Sequence, residues 1–313
     1  MLLSVVVPCY NEELNINDFY QALLPAFDQI VSNHTQVSPI SLEILYVDDG
    51  STDQTANCVK TLIETDSRVR LISFSRNFGK ESAIFAGLEK ALGDYVVIMD
   101  ADLQDPPSLL PQMFTEAMNG YDHIATRRVS RKGEPAIRSF FARRFYRLMR
   151  VISRTEIVDG ARDYRLLSRK VVDAILSLRE YHRFTKGIFG WVGFETKWLE
   201  YENIERAKGE TKWSFWKLLK YSIEGIVAFS TVPLIIASII GVVFCIIAFL
   251  MILFVVIRKI LFGDPVSGWA STICILLLVS GVQFFCMGII GQYLAKTYME
   301  VKNRPLYLIK EEL

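Results

Sequence analysis

The sequence predicts an α/β domain built on a mostly parallel sheet, followed by two membrane-spanning helices. Three observations lead there. Short β-branched runs alternate with stretches of helical periodicity through the first 126 residues, polar and acidic clusters fall at the ends of those runs, and two long uncharged stretches follow in the last third. The 313 residues are 51% hydrophobic with a mean hydropathy of +0.27, enough for one full α/β domain plus extra apolar elements.

Five runs read as strands: Leu3 to Val7, Leu42 to Val47, Val69 to Phe74, Tyr95 to Met99 and His123 to Thr126. Between them Ile84, Leu88 and Leu92 repeat at helical spacing among polar positions. Strand and helix in alternation imply parallel pairing with helices on both faces, and such sheets bind ligands at the carboxyl ends of their strands. The polar clusters lie there: Pro8 to Glu13 after the first strand, Asp48 to Asp53 after the second, and Asp100 to Pro107 after the fourth.

Beyond the sheet, Ile137, Phe141, Phe145, Leu148 and Ile152 alternate with five arginines, the pattern of a basic amphipathic helix over 137–152 lying at a membrane interface or packing on the sheet. A second aromatic and lysine-rich helix is expected over 211–226. No residue is charged from Gly225 to Ile257 or from Pro265 to Ala295, and each run exceeds the roughly 20 residues needed to cross a bilayer. The expected organisation is therefore a domain over 1–210, the helix at 211–226, spans at 227–257 and 267–295, and a tail at 296–313.

Charge gives the orientation. Lys208, Lys212, Lys217 and Lys220 precede the first span and Lys296, Lys302, Arg304 and Lys310 follow the second, while the connecting loop holds only Arg258 and Lys259. Both termini, and the domain, are expected in the cytoplasm of a multi-pass plasma-membrane protein. The first residues carry no basic segment or cleavage site of a secretory signal. Gly281, Gly288 and Gly291 offer close helix contact within the pair or between protomers.

The net charge of +1 conceals an asymmetry: residues 1–124 carry 6 basic and 18 acidic groups, residues 125–220 carry 23 and 11, and the remainder 6 and 5. The basic middle segment leads directly into a span, so lipid headgroups and a lipid phosphate are its expected partners rather than nucleic acid. Cys9, Cys58, Cys245, Cys274 and Cys286 form no C-x-x-C pair, and the 3 histidines are scattered. Neither a disulfide framework nor a thiolate or imidazole metal site is expected.

Asp100 and Asp102 stand two apart at a strand end, where alternating side chains point to one side of the backbone. Such hard oxygen ligands suit Mg²⁺ or Mn²⁺ with positions left for substrate phosphates, and the ion would stabilise a leaving diphosphate. An Asp-x-Asp alone is also a common surface turn, and Ser51 or Asp53 may equally be read as caps of the next helix.

Taken together, Val7-Pro-Cys-Tyr-Asn-Glu12, Val47-Asp-Asp-Gly-Ser-Thr-Asp53, Arg76-Asn-Phe-Gly-Lys80 and Met99-Asp-Ala-Asp-Leu-Gln-Asp-Pro-Pro107 resemble the inverting GT-A glycosyltransferases of family 2. Within it the chain is similar to polyprenyl-phosphate glycosyltransferases, the group of bactoprenol glucosyltransferases and dolichyl-phosphate mannose synthase. The likeness extends to Arg206-Ala-Lys-Gly-Glu-Thr-Lys212 and Asn303-Arg-Pro-Leu-Tyr307. It implies a GT-A Rossmann-like sheet and transfer of a sugar from a nucleotide-sugar, with UDP favoured, to undecaprenyl or another polyprenyl phosphate.

By the same resemblance Pro8, Tyr10, Glu12, Lys80 and Ala101 line the nucleotide pocket, and Asp49, with Asp48 behind it, reads the uracil. Asp100 and Asp102 serve the diphosphate and metal with Gln104 close by, and Asp163 is the candidate base. Arg128 and Arg138 hold the acceptor phosphate, Arg206 and Lys212 form a basic motif near the membrane, and a homo-oligomer, a tetramer, is implied. A phosphomonoester has a second pKa near 6 and is mostly dianionic at neutral pH, so Asp163 is expected to orient more than to abstract.

Other readings fit less well. A processive polysaccharide synthase calls for Gln-x-x-Arg-Trp and more spans, and an oxidoreductase for Gly-x-Gly-x-x-Gly where Pro-Cys-Tyr-Asn-Glu stands. A non-catalytic sugar-nucleotide-binding scaffold sits poorly with acidic clusters kept intact at the strand ends. No residue decides between glucose and N-acetylglucosamine.

Overall fold

The computed structural model describes residues 1–34, 39–129, 158, 160–181, 183–202, 226–227, 230–262 and 268–313. The helix expected at 137–152, nearly all of that at 211–226, and Arg138, Arg206 and Lys212 lie outside the described residues.

The five expected strands form: β1 Leu2–Cys9, β2 Ser41–Asp48, β3 Val69–Phe74, β4 Tyr95–Ile98 and β5 His123–Arg128. Three more join them: β6 Ala161–Ser168, β7 Thr196–Tyr201 and β8 Ile309–Glu312. The sheet order is β7-β5-β6-β4-β1-β2-β3-β8. Pairs β1–β2, β1–β4, β2–β3 and β5–β7 are parallel, whereas β4–β6, β5–β6 and β3–β8 are antiparallel. The result is a mostly parallel, mixed α/β sheet.

The connecting helices are α1 Ile16–Asn33, α2 Thr55–Thr65, α3 Lys80–Lys90 and α4 Leu110–Met118; α5 Arg169–Leu176 and α6 Thr185–Trp191 follow β6. Residues in β1 alternate between two cores. Leu3, Val5 and Val7 join Phe19, Leu23 and Phe114 of α1 and α4, while Val6 faces α3 on the other side. Helix α3 approaches closely because it has Gly87 there: an added Cβ would stand 2.1 Å from a Val6 methyl. Each fully buried Leu, Ile or Phe in these cores contributes roughly 1.5–3 kcal/mol.

One periodicity extends too far. Ile84 and Leu88 are buried on α3, but Leu92 is 70% exposed beyond its end. The backbone turns extended at Ala91, and the Leu92 amide donates to Glu43 instead of continuing the helix (2.8 to 3.0 Å being the ordinary range). Strand order reverses between the neighbours β1 and β4, and such a reversal places a crevice at the carboxyl ends of the two strands.

Residues 223–303 form a second unit with α7 Val232–Phe262 and α8 Trp269–Val301. Their apolar stretches Val232–Met251 and Leu278–Val301 have mean hydropathies of 3.1 and 1.5 and are almost wholly unburied, so length and composition suffice to cross a bilayer. The two helices touch through a Tyr293 hydroxyl donating to the Ser230 carbonyl (2.6 Å). Among the described residues, Gly281, Gly288 and Gly291 meet no atom within 4 Å of an added Cβ, so they do not form the contact within the pair. The segment 296–313 is not a simple tail either: α8 continues to Val301, and β8 rejoins the sheet beside β3 because that edge offers unpaired backbone groups.

Candidate active site

The loops after β1 and β2 are fastened to each other. Asn11, at φ +53°, receives the Thr52 amide on its side-chain oxygen and donates its own amide to the Ser51 hydroxyl, both at 2.9 Å. The Glu12 amide donates to Thr55 Oγ1 (2.8 Å), and the Glu12 carboxylate accepts from Asn15 Nδ2 (2.6 Å). Asp53 accepts the Thr55 amide at the start of α2, as a helix-start residue should, whereas Ser51 serves the β1 loop instead. Pro8 is the penultimate residue of β1, and Tyr10 is 38% exposed just past the strand's end.

Asp48 and Asp49 are both buried. Asp48 accepts from the Ser51 amide (2.9 Å) and the Ser73 hydroxyl (2.7 Å), which ties β2 to its own turn and to β3. Asp49 accepts from the amides of Phe78 (2.6 Å) and Gly79 (2.9 Å), and so closes the 76–79 loop onto the end of β2. Burial pushes the Asp49 carboxyl up to about 6, against the opposing pull of those two amides. Gly50, at φ +67°, makes the approach possible, since a Cβ there would lie 2.5 Å from the Arg76 backbone.

That loop delivers Lys80, the first residue of α3, to the centre of the crevice. Its ammonium stands 2.7 Å from Asp100 beyond β4 and 2.6 Å from Asp163 on β6. Burial alone would lower the Lys80 pKa, but the two carboxylates outweigh it and hold the ammonium well above its usual value. Burial likewise disfavours ionised Asp163, and Lys80, Lys186 and Arg162 reverse it, holding this carboxyl well below the usual range. The cations around it thus favour the ionised form of Asp163.

Asp100 Oδ1 is buried and meets no hydrogen-bond partner among the described residues. Ala101 is buried, and Asp102 follows at 8% exposure with its Oδ1 accepting the Gln104 amide across Leu103, which sits at φ +58°. A positive φ at a leucine is strain of the kind that functional loops store. Among the described residues no three His, Cys, Asp or Glu side chains gather as a metal cluster. Two carboxylates, one with an unengaged oxygen, nonetheless fit a divalent ion whose remaining ligands come from a diphosphate and water. The Gln104 side-chain oxygen is turned instead to Arg162 (3.2 Å).

Sequence reasoning passed over the fixture beneath this centre. Asp105 is fully buried and accepts from Arg162 Nε (2.9 Å) and from the Tyr201 hydroxyl, which joins the β4 loop to β6 and β7. Burial raises the Asp105 carboxyl and Arg162 opposes it. Asp105 was visible in the acidic run, but Arg162 and Tyr201 carry no sequence signal. Glu81, next to Lys80, accepts from both the amide and the hydroxyl of Thr185, so α3 and the start of α6 are tied, and Lys186 is carried beside Asp163. Arg128 ends β5 opposite Tyr201 of β7, close enough for its charge to act on that phenol.

The glycosyl transferase family 2 profile matches residues 4–176 of this chain. The putative glycosyltransferase CsbB of Bacillus subtilis (strain 168) is 40% identical over 99% of this chain and 92% of its own length. The SfII prophage-derived bactoprenol glucosyl transferase of Shigella flexneri is 39% identical, covering 99% of this chain and 98% of that protein. Among solved structures, a glucosyl-3-phosphoglycerate synthase from Mycobacterium tuberculosis in complex with Mn²⁺, UDP and phosphoglyceric acid matches 72% of this chain and 76% of its own at 20% identity and a TM-score of 0.45. With the family profile over more than half its length and relatives matched end to end, the chain belongs to glycosyl transferase family 2 and is a glycosyltransferase.

Proposed function

We propose that the protein transfers glucose from a nucleotide-sugar, with UDP-glucose as donor, to a polyprenyl phosphate at the cytoplasmic face of the membrane, with inversion at the anomeric carbon. The observation that carries this reading is the end-to-end likeness to bactoprenol glucosyl transferases, joined to a crevice where Lys80 bridges Asp100 and Asp163.

In this reading the nucleoside lies over Pro8, Tyr10 and Glu12, and Asp49, expected to read the uracil, acts instead by holding the adjoining 76–79 loop. Asp100 and Asp102 would hold a divalent ion, which supplies Lewis-acid stabilisation of the departing diphosphate. Lys80 adds a fixed positive charge where the diphosphate arrives. Arg128 receives the acceptor phosphate and, with Lys186 beside Asp163, offsets its repulsion from the donor. That phosphate is already mostly dianionic at neutral pH, and Asp163 is held ionised by Lys80, so Asp163 orients charge and takes no proton.

The C-terminal strand supports the membrane topology. Because β8 follows α8 yet pairs with β3, the chain leaves the catalytic sheet and returns to it. Two crossings by α7 and α8 satisfy that requirement, and the lysines flanking them favour the cytoplasmic side.

The test is to incubate purified protein with undecaprenyl phosphate, Mg²⁺ or Mn²⁺, and a panel of nucleotide sugars, and to identify the lipid product by mass. A hexose adduct formed from UDP-glucose is expected. No transfer from any donor would overturn the proposal, and transfer only from UDP-N-acetylglucosamine would replace the sugar.

A further inference from the structure

The Asn303-Arg-Pro-Leu-Tyr307 segment has no task in the mechanism above. It leads from the end of α8 to β8, and its last residue returns to the domain that holds the active site. The Tyr307 ring stacks on Phe74 at 4.9 Å between centroids and 17° between planes. Phe74, the 1%-exposed last residue of β3, meets Phe78 edge-on at 5.8 Å, and Arg76 covers the Phe78 ring at 4.1 Å. Phe78 and Gly79 are the residues whose amides Asp49 binds, and Lys80 follows directly.

Three rings therefore form a column from the C-terminal segment to the loop that presents Lys80. The column is anchored at its outer end. The Tyr307 hydroxyl donates to Glu89 on α3, the Leu308 carbonyl accepts the Ser75 amide (3.0 Å), and Leu313 exchanges backbone hydrogen bonds with Leu71. Glu311 pairs with Lys60 (2.7 Å) and Glu312 with Lys90 (2.8 Å). Without β8 and Tyr307, β3 would be an open edge and Phe74 would lose one face of its packing.

We propose that Tyr307 is a positioning residue: through Phe74 and Phe78 it holds the 76–79 loop on Asp49, and so sets the reach of Lys80 to Asp100 and Asp163. The placement of the active-site lysine thus depends on a segment that arrives only after the second apolar helix. The proposal rests on the reading of Lys80, Asp100 and Asp163 as the reaction centre.

The experiment uses the full-length protein in vesicles, with undecaprenyl phosphate as acceptor and UDP-glucose as donor, and compares Tyr307→Ala, Tyr307→Phe and Lys80→Met. Tyr307→Ala is expected to lower kcat about tenfold, since small misplacements of reacting groups are costly, with KM for the lipid unchanged. Amide exchange should accelerate at Phe78 and Gly79 while Leu71 stays protected. Tyr307→Phe keeps the ring and should retain kcat within about twofold. Wild-type kcat and exchange in Tyr307→Ala would overturn the proposal, as would an equal loss in Tyr307→Phe or equal acceleration at Leu71. Wild-type turnover in Lys80→Met would overturn the reaction-centre reading instead, and the exchange pattern would still report whether the ring column holds the loop.

Discussion

Asp48 and Asp49 at the end of β2 have their carboxylates bound by the protein's own donors, whereas Asp100 beyond β4 has one buried oxygen that meets none among the described residues. In sequence the two clusters look alike: acidic pairs followed by turn residues after an apolar strand. The first pair builds the crevice by fixing the β2 turn and the 76–79 loop. The second is held by Lys80 and the Gln104 amide but keeps Asp100 Oδ1 without a hydrogen-bond partner among the described residues. A buried carboxylate oxygen without a partner is costly unless something binds it, so Asp100 rather than Asp49 offers a position for a ligand.

The strongest way to break that contrast is Asp102→Asn or Asp100→Asn. Each should lower kcat by roughly 10²–10³-fold with the midpoint of thermal unfolding little changed, because charge facing the reaction is lost while an amide oxygen still accepts from Gln104 or Lys80. Full activity in either variant would remove the metal role.

Chelation sharpens the same point without mutation. Activity should vanish in excess EDTA and return with Mg²⁺ or Mn²⁺, and UDP should raise the unfolding midpoint of the wild type only when metal is present. In Asp102→Asn the added metal should no longer strengthen the UDP effect. Equal UDP stabilisation with and without metal in the wild type would count against the two carboxylates as ligands.

Asp105→Asn tests the fixture beneath the centre. It leaves Arg162 as a buried charge without its carboxylate and should cost about 3–5 kcal/mol of stability by denaturant unfolding. Asp49→Asn should cost less, roughly 1–3 kcal/mol, since one amide oxygen replaces two charged acceptors. If it abolished turnover with no loss of stability, the assignment of the β2 cluster to building the crevice would fail.

The smallest effect is in pH. The Asp49 carboxyl is pushed up to about 6, above its value in an unfolded chain, so the closed loop favours the neutral form and the cost of burying its charge is relieved as pH falls through 6. Exchange of the Phe78 and Gly79 amides should therefore slow from pH 7 to 5 once corrected for intrinsic rates. Asp163 is held ionised far below that window and should add no step there.

Much of the centre was legible because its chemistry is local. Asp100 and Asp102 follow one strand, Pro8 stands at the end of another and Glu12 follows it, so the rule that α/β sheets bind ligands at strand ends brings them together from the sequence alone. The brace of Asp105, Arg162 and Tyr201 was not legible, because its members come from three separated segments and each alone reads as ordinary surface polarity. Strands β6 and β7 are not legible for a related reason: they lie within the basic segment 125–220, and β6, Ala-Arg-Asp-Tyr-Arg-Leu-Leu-Ser, interleaves charged side chains that satisfy the site rather than the core.

The sequence by itself determined the alternation of strand and helix, the two apolar helices, and which acidic clusters would stand at the crevice, since periodicity and hydrophobicity act over neighbouring residues. Only the tertiary structure decided which carboxylates brace and which stay open, because that depends on which donors the fold brings within hydrogen-bond reach. It also decided the fate of the last residues. Read alone, 296–313 is a charged tail; in the fold, the unpaired edge of β3 and the ring of Phe74 give its backbone and Tyr307 partners that lie more than 200 residues away in the chain.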